Sequence, residues 1–258
     1  MVIQKKEIKP ENLIELENVS LRFNKPSEKL TTLKEFFVRL FKGRLRHDEF
    51  WVLNDINLEV KRGESLALIG LNGCGKTTLL KIIAGVIEPT QGEVRIGGTI
   101  APLISLGAGF DMEATARENV YLNGAILGYS KKEMQAKFES IVEFAELKDF
   151  MNVPLKNFSS GMLSRLGFAI AVDVQPDILL VDEILAVGDI NFKQKCHKKI
   201  EEILAKGTTI IYVSHSMNDV VRLCKKALWL KDNKIHRYGN SKEVVAEYVA
   251  ECKQSQKK

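Results

Sequence analysis

Apolar and polar positions change rhythm several times along this chain, and each change marks an element. Residues 13–23 (Leu-Ile-Glu-Leu-Glu-Asn-Val-Ser-Leu-Arg-Phe) and 52–60 (Val-Leu-Asn-Asp-Ile-Asn-Leu-Glu-Val) alternate with a period of two, the pattern of half-buried strands. The second passes through a Lys61-Arg62-Gly63 turn into Ser65–Ile69, a short apolar run that reads as a buried strand. Leu79–Ala84 then reads as the start of a helix, and Gly92–Gly98 as a strand with turns. Further on the spacing becomes helical. Ser130 and Glu133 make a capping box ahead of Met134, Phe138, Ile141, Val142 and Ala145 on one face. Roughly 112–163 is therefore expected to be a helical lobe inserted in an α/β core. The core pattern resumes with apolar strands at 178–182 and 208–213, a hairpin over 227–239 turning at Asp232-Asn233, and a helix over 241–252. There is no internal repeat.

One stretch stands outside this alternation. Between the first two strands, roughly residues 26–49, Leu30, Leu33, Phe37, Leu40 and Phe41 recur at helical spacing among Lys29, Lys34, Arg39, Lys42, Arg44 and Arg46. Such a basic amphipathic helix suits a membrane surface or a seat on its own domain.

Composition narrows the picture modestly. The 258 residues suffice for one domain, or for one domain with a lobe attached. A net charge of +5 permits an acidic partner or a membrane surface without requiring either, and it is too mild to argue for nucleic acid. Cys74, Cys196, Cys224 and Cys252 form no C-x-x-C pair, which speaks against a zinc site or disulfide framework and suits a reducing cytoplasm. No stretch approaches the ~20 apolar residues of a membrane span, and the amino terminus does not read as a signal peptide. Any membrane role is expected to come through a partner.

The chemistry is concentrated in Gly70-Leu71-Asn72-Gly73-Cys74-Gly75-Lys76-Thr77-Thr78, which fits G-x-x-x-x-G-K-[ST] between a strand and a helix. The glycines let backbone N–H groups turn inward around phosphates, and the new helix aims its positive end at them. Lys76 can reach the β- and γ-phosphates, and the Thr77 hydroxyl can ligate Mg²⁺. Cys74 reads as a small filler of the loop. Three further features follow in order. Phe158-Ser159-Ser160-Gly161-Met162 is a serine-glycine turn at a helix start, a second candidate anion site. Asp182 ends a buried strand and can hold Mg²⁺, and Glu183 beside it can polarise an attacking water. His215, after the next strand, is placed for a γ-phosphate contact.

Taken together and in this order, these features resemble the nucleotide-binding subunit of an ABC transporter, over about residues 13–250. The resemblance implies an α/β fold: a RecA-like P-loop NTPase core, about 12–111 and 164–258, with an antiparallel β subdomain and an inserted helical lobe, the whole chain forming a single nucleotide-binding domain. It implies that residues 70–78 are Walker A, 158–162 the signature, 178–182 Walker B and Glu183 the catalytic base. His215 would be the switch histidine, and Ala186-Val187-Gly188-Asp189 the D-loop. Such subunits bind ATP and Mg²⁺ and act as head-to-tail dimers in which one signature closes over ATP held by the other P-loop. Leu106-Gly-Ala-Gly-Phe110, Arg117-Glu-Asn-Val-Tyr121, Ser159-Ser-Gly-Met162, Leu185-Ala-Val-Gly-Asp189 and the insertion before Phe50 resemble O-antigen, capsule and teichoic-acid exporters in particular. By that resemblance the partners are a second copy, a polytopic permease (two copies) and, through it, a lipid-linked glycan. The place of work is the cytoplasmic face of the membrane. A motor for another lipid or drug-like substrate is the alternative, and a soluble ABC ATPase a further one.

The chain departs from the family pattern at three places. Leu106 or Gly107 stands where a Q-loop glutamine is usual. Ser160 replaces the first glycine of the signature, so Ser159 and Gly161 carry over. The aromatic that stacks on adenine is Phe23 or Trp51, since the insertion disrupts the spacing. Some O-antigen exporters carry an additional C-terminal sugar-binding domain; with none read up to residue 258, glycan selection by this chain's own domain is not expected.

Overall fold

The computed structural model describes residues 8–26, 47–103, 109–173, 176–182 and 190–255. Strands β1 (Asn12–Pro26), β2 (His47–Lys61) and β4 (Gln91–Ile96) form an antiparallel sheet in the order β2-β1-β4. A second sheet runs β5-β6-β7-β3-β8-β9, comprising β3 (Ser65–Ile69), β5 (Ile100–Pro102), β6 (Ile178–Val181), β7 (Thr209–Val213), β8 (Lys226–Lys231) and β9 (Lys234–Asn240). Its first five strands are parallel, and β9 returns antiparallel through Asp232 and Asn233, both at positive φ (49° and 64°). Asp and Asn tolerate that conformation, which a tight hairpin turn demands.

The unbroken apolar run of β3 is explained by its two neighbours and two covered faces: all five residues are buried. Leu66 and Leu68 point into a layer shared with the antiparallel sheet and with helix α1 (Lys76–Ile83), whose Leu79, Leu80, Ile82 and Ile83 fill it. Ala67 and Ile69 point the other way. There they meet Phe168 of α4 (Ser160–Asp173), Phe192, Cys196 and Ile200 of α5 (Ile190–Ala205), and Val244 and Val245 of α7 (Ser241–Ser255). Between β7 and β8 lies the short α6 (Met217–Leu223).

A third apolar cluster belongs to α2 (Ala116–Ile126) and α3 (Lys131–Ala145), joined by Leu147, Met151, Leu155 and Phe158. Both helices open with capping boxes, Thr115 with Glu118 and Ser130 with Glu133. Each box satisfies backbone N–H groups that a helix start leaves without partners. Helix α4 runs through residue 163, the expected lobe limit, and divides its face. Leu166, Ala169 and Ile170 pack in the lobe cluster, whereas Phe168, Ala171 and Val172 pack in the core.

The first two strands are longer than their alternation predicts. β1 continues to Pro26 and β2 begins at His47, with Lys25 paired to Asp48 and Pro26 to His47. This corrects the expected insertion at both ends: residues 26 and 47–49 are strand. The reason is cross-strand pairing, which extends a ribbon through polar residues that carry no apolar alternation of their own. Residues 27–46, with the amphipathic helix expected there, lie outside the described residues. Among those described, no helix is long and apolar enough to cross a membrane.

Candidate functional site

Three sequence features meet at the carboxyl ends of neighbouring parallel strands: the P-loop after β3, Asp182 after β6 and His215 after β7. In open α/β sheets that edge is where ligands bind.

The glycines of the P-loop each answer a specific crowding. Gly70, at φ 144°, leaves no room for a side chain, since a Cβ there would stand 2.4 Å from the Leu230 carbonyl oxygen and 2.8 Å from Cys74 Sγ. Gly75, at φ 101°, caps α1, and a Cβ there would meet Leu53 Cδ2 at 2.8 Å and the Val52 carbonyl at 2.9 Å. The loop is thus pressed between β8 and β2. Lys76, the first residue of α1, is only 7% exposed. Its ammonium donates to the Gly70 and Leu71 carbonyls at 2.8 and 2.9 Å, so the nearly buried charge is held by the loop it belongs to.

The next residue completes a pair. Thr77 Oγ1 donates to Asp182 Oδ2 at 3.3 Å, joining the start of α1 to the end of β6 across 105 positions of sequence. A hydroxyl and a carboxylate so placed are hard oxygen donors of the kind Mg²⁺ takes. His215 is exposed on a tight turn: Ser214 beside it is buried and accepts from the Ser216 N–H at 3.0 Å, and Ser216 caps α6. Glu183 and Asp189, and the Leu106–Gly107 pair, lie outside the described residues.

Ser159, Ser160 and Gly161 sit on the lobe side of the molecule. Ser159 Oγ accepts from the Met162 N–H at 3.2 Å, and Ser160 begins α4. Among the described residues, a Cβ on Gly161 would meet only Ser159 Oγ, at 3.8 Å, an ordinary van der Waals contact. Its hydroxyls are exposed.

The aromatic candidates separate by strand geometry. Phe23 pairs directly with Phe50 across β1 and β2, and the two are 49% and 56% exposed. Directly paired residues project from the same face, so Phe23 and Phe50 present one apolar pair to solvent. Trp51 projects from the other face, half-buried, with the Arg22 guanidinium 5.8 Å from its ring centre. Phe50, Trp229 and Tyr248 are residues that sequence reasoning missed. Together with Leu71, Asn72, Gly73 and Cys74 they line a cavity of about 600 Å³ beside the P-loop. Burial and a hydrogen bond with Cys252 push the Tyr248 hydroxyl up to about 12, keeping it neutral. The signal that could have found Phe50 is its place directly before Trp51, on the alternate face of the same strand.

Comparison with known proteins agrees with this geometry. The family model described as ABC transporter matches residues 53–186. The O-antigen export system ATP-binding protein RfbB of Klebsiella pneumoniae is 46% identical over 210 residues, covering 81% of this chain and 84% of that protein. The teichoic acids export ATP-binding protein TagH of Bacillus cereus is 41% identical over 244 residues, covering 93% of this chain and 43% of that longer protein. Among solved structures, the dimeric, post-hydrolysis ATP-binding cassette MJ0796 bound to ADP and Pi superposes with a TM-score of 0.71 at 24% identity, covering 89% of this chain and 99% of that one. That last likeness is one of fold. With the family model spanning more than half of the residues and a relative at 46% identity, the chain belongs to the ABC transporter family.

Proposed function

We propose that this chain is the ATP-hydrolysing motor subunit of an ABC transporter that exports a lipid-linked polysaccharide of the O-antigen, capsule or teichoic-acid type. The observation that carries the ATPase chemistry is the contact between Thr77 and Asp182 at the mouth of the P-loop. The cargo rests on the relatives: both the O-antigen and the teichoic-acid proteins are named as ATP-binding components of export systems.

In this reading ATP enters along the P-loop, and the phosphates take the place of the Gly70 and Leu71 carbonyls at the Lys76 ammonium. Backbone N–H groups of Asn72, Gly73, Cys74 and Gly75, with Thr78, complete the cradle at the start of α1. Thr77 and Asp182 would hold Mg²⁺, which would supply neutralisation of the phosphate charge. Glu183, next after Asp182, takes the proton of the attacking water, and His215 contacts the γ-phosphate from the end of β7. The exposed Phe23–Phe50 pair offers the adenine ring an apolar face. Because Phe50 also borders the P-loop cavity, it joins Phe23 as a candidate for stacking.

The Ser159–Gly161 turn is proposed to close on the γ-phosphate of a second copy, with Asp189 at the same interface, so the working unit is a homodimer. A permease supplies the membrane passage. Leu122 and Ile126, one turn apart on α2, are 41% and 63% exposed, and Met112 nearby in sequence is 42% exposed. An apolar face of that kind on the lobe suits a helix of the permease.

The test is Glu183→Gln, assayed for ATP turnover and for proteins and lipids retained from native membranes with ATP and Mg²⁺. The expected result is a closed ATP-bound dimer with little turnover, holding a polytopic membrane protein and a polyprenyl-linked glycan. Turnover at the parent rate removes Glu183 as the base. A different lipid keeps the motor and discards the polysaccharide, while ribosomes or DNA discard the transporter reading.

A further inference from the structure

One residue outside the nucleotide-facing elements combines backbone strain with ion pairs to two other helices. Glu146 ends α3 in the left-handed conformation, at φ 59° and ψ 40°. Glycine or asparagine ordinarily occupies such a position, because a Cβ there crowds the following carbonyl oxygen, which glycine avoids and asparagine offsets by local hydrogen bonding. A strained residue kept where a better one exists points to work done by its side chain.

The side chain has two cationic partners on two different helices. Glu146 Oε2 accepts from Arg165 of α4 at 2.9 Å, and Oε1 accepts from Lys195 of α5 at 2.9 Å. Lys195 also donates to the Phe144 carbonyl at 2.9 Å, so it grips the end of α3 twice. Below the carboxylate, Phe144, Phe168 and Phe192 bring one aromatic ring from each of the three helices together, with centroids 5.7–6.4 Å apart. The cations extend over these rings: the Arg165 guanidinium lies 4.7 Å from the Phe192 centroid and the Lys195 ammonium 4.8 Å from that of Phe144. The hydrogen bond from Lys195 leads the effects that hold the Glu146 carboxyl below its ordinary value, so it carries charge throughout the neutral range.

The three helices lead to different places. Helix α3 belongs to the lobe, α4 begins at the Ser159–Gly161 turn, and α5 is the next described helix after the apolar strand β6. We propose that Glu146 is a positioning residue. By tying α3 to α4 and α5 it fixes the angle at which the lobe presents the Ser159–Gly161 turn, and so sets how readily two subunits close on ATP. This rests on the reading that the turn closes over nucleotide held by a second copy.

The experiment measures ATP-driven dimerisation of purified Glu183→Gln protein by sedimentation, with nucleotide affinity of the monomer and melting temperature recorded in parallel. Glu146→Asn is the informative variant, because asparagine accepts the left-handed backbone while abolishing the ion pairs. Added to Glu183→Gln, it is expected to weaken the dimer about tenfold, with monomer affinity for ATP within about twofold and no loss of melting temperature. Lys195→Met is expected to do the same, and Lys195→Arg, which keeps charge and reach, to restore parental dimerisation. Dimerisation of Glu146→Asn at parental strength overturns the inference. So does a fall in melting temperature that accompanies the weaker dimer in both Glu146→Asn and Lys195→Met, which makes the contact a plain structural tie. If the Glu183→Gln parent stays monomeric with ATP, the reading beneath falls and the inference falls with it.

Discussion

The P-loop and the Ser159–Gly161 turn are both glycine-containing helix starts, yet they are held in opposite ways. The first is embedded: β3 is buried on both faces, Gly70 and Gly75 touch neighbouring backbone, and Lys76 is satisfied by its own loop. The second is exposed, is uncrowded at Gly161 among the described residues, and belongs to a helix shared between the lobe and the core. One is a finished receptacle. The other presents two exposed serine side chains at a helix start. In the proposed motor this difference has a use, since a fixed cradle selects the nucleotide and a presented turn reports its arrival to another surface.

Four changes break or sharpen that contrast, in falling order of effect. Lys76→Ala strips the cradle of its cation, and ATP turnover is expected to drop about 10²–10³-fold with nucleotide affinity lowered, read by steady-state hydrolysis and by titration. Phe168→Ala attacks the bridge instead. Phe168 is 2% exposed and packs against both Phe144 and Phe192, so its loss is expected to cost about 3–5 kcal/mol in denaturant unfolding. Ser159→Ala removes one donor of the presented turn. Turnover is expected to fall about tenfold, the weight of one hydrogen bond, while ATP affinity of the single subunit stays unchanged.

Asp177→Asn is the smallest, and it acts away from both, at the amino-terminal edge of β6. The Thr99 N–H leads the effects that hold the Asp177 carboxyl below its ordinary 3.8, with burial opposing and the Thr99 hydroxyl and Arg62 assisting. A depressed folded value means stability that is present above 3.8 and lost as pH falls through the depressed value. Asp177→Asn is therefore expected to be less stable than the parent at neutral pH, by under about 1 kcal/mol for so exposed a group, and the two melting curves should converge in acid. Its turnover per folded molecule should not change.

The P-loop was legible because its glycines and lysine answer backbone geometry that recurs wherever a strand turns into a helix around phosphate. Asp182 was legible because a buried apolar strand has few reasons to end in a carboxylate. The lobe limit was harder to read. Helix α4 is apolar nearly all round, and periodicity cannot tell that Leu166, Ala169 and Ile170 face one cluster while Phe168, Ala171 and Val172 face another. Phe50 was missed for a related reason. The alternation was read from Val52 onward, and the pairing that sets Phe50 beside Phe23 joins residues 27 positions apart. Glu146 gave no local sign at all, because its partners lie 19 and 49 positions away.

Gly70 sets how far the cradle can yield. Its missing side chain lets the strand-to-loop corner rest against the carbonyl of Leu230, closer than any Cβ would allow. A corner backed that closely cannot give way toward β8 without pushing that strand, which is hydrogen-bonded to β3 along its length. The cradle therefore behaves as an anvil, and the stroke of the motor falls to whatever is brought down upon it.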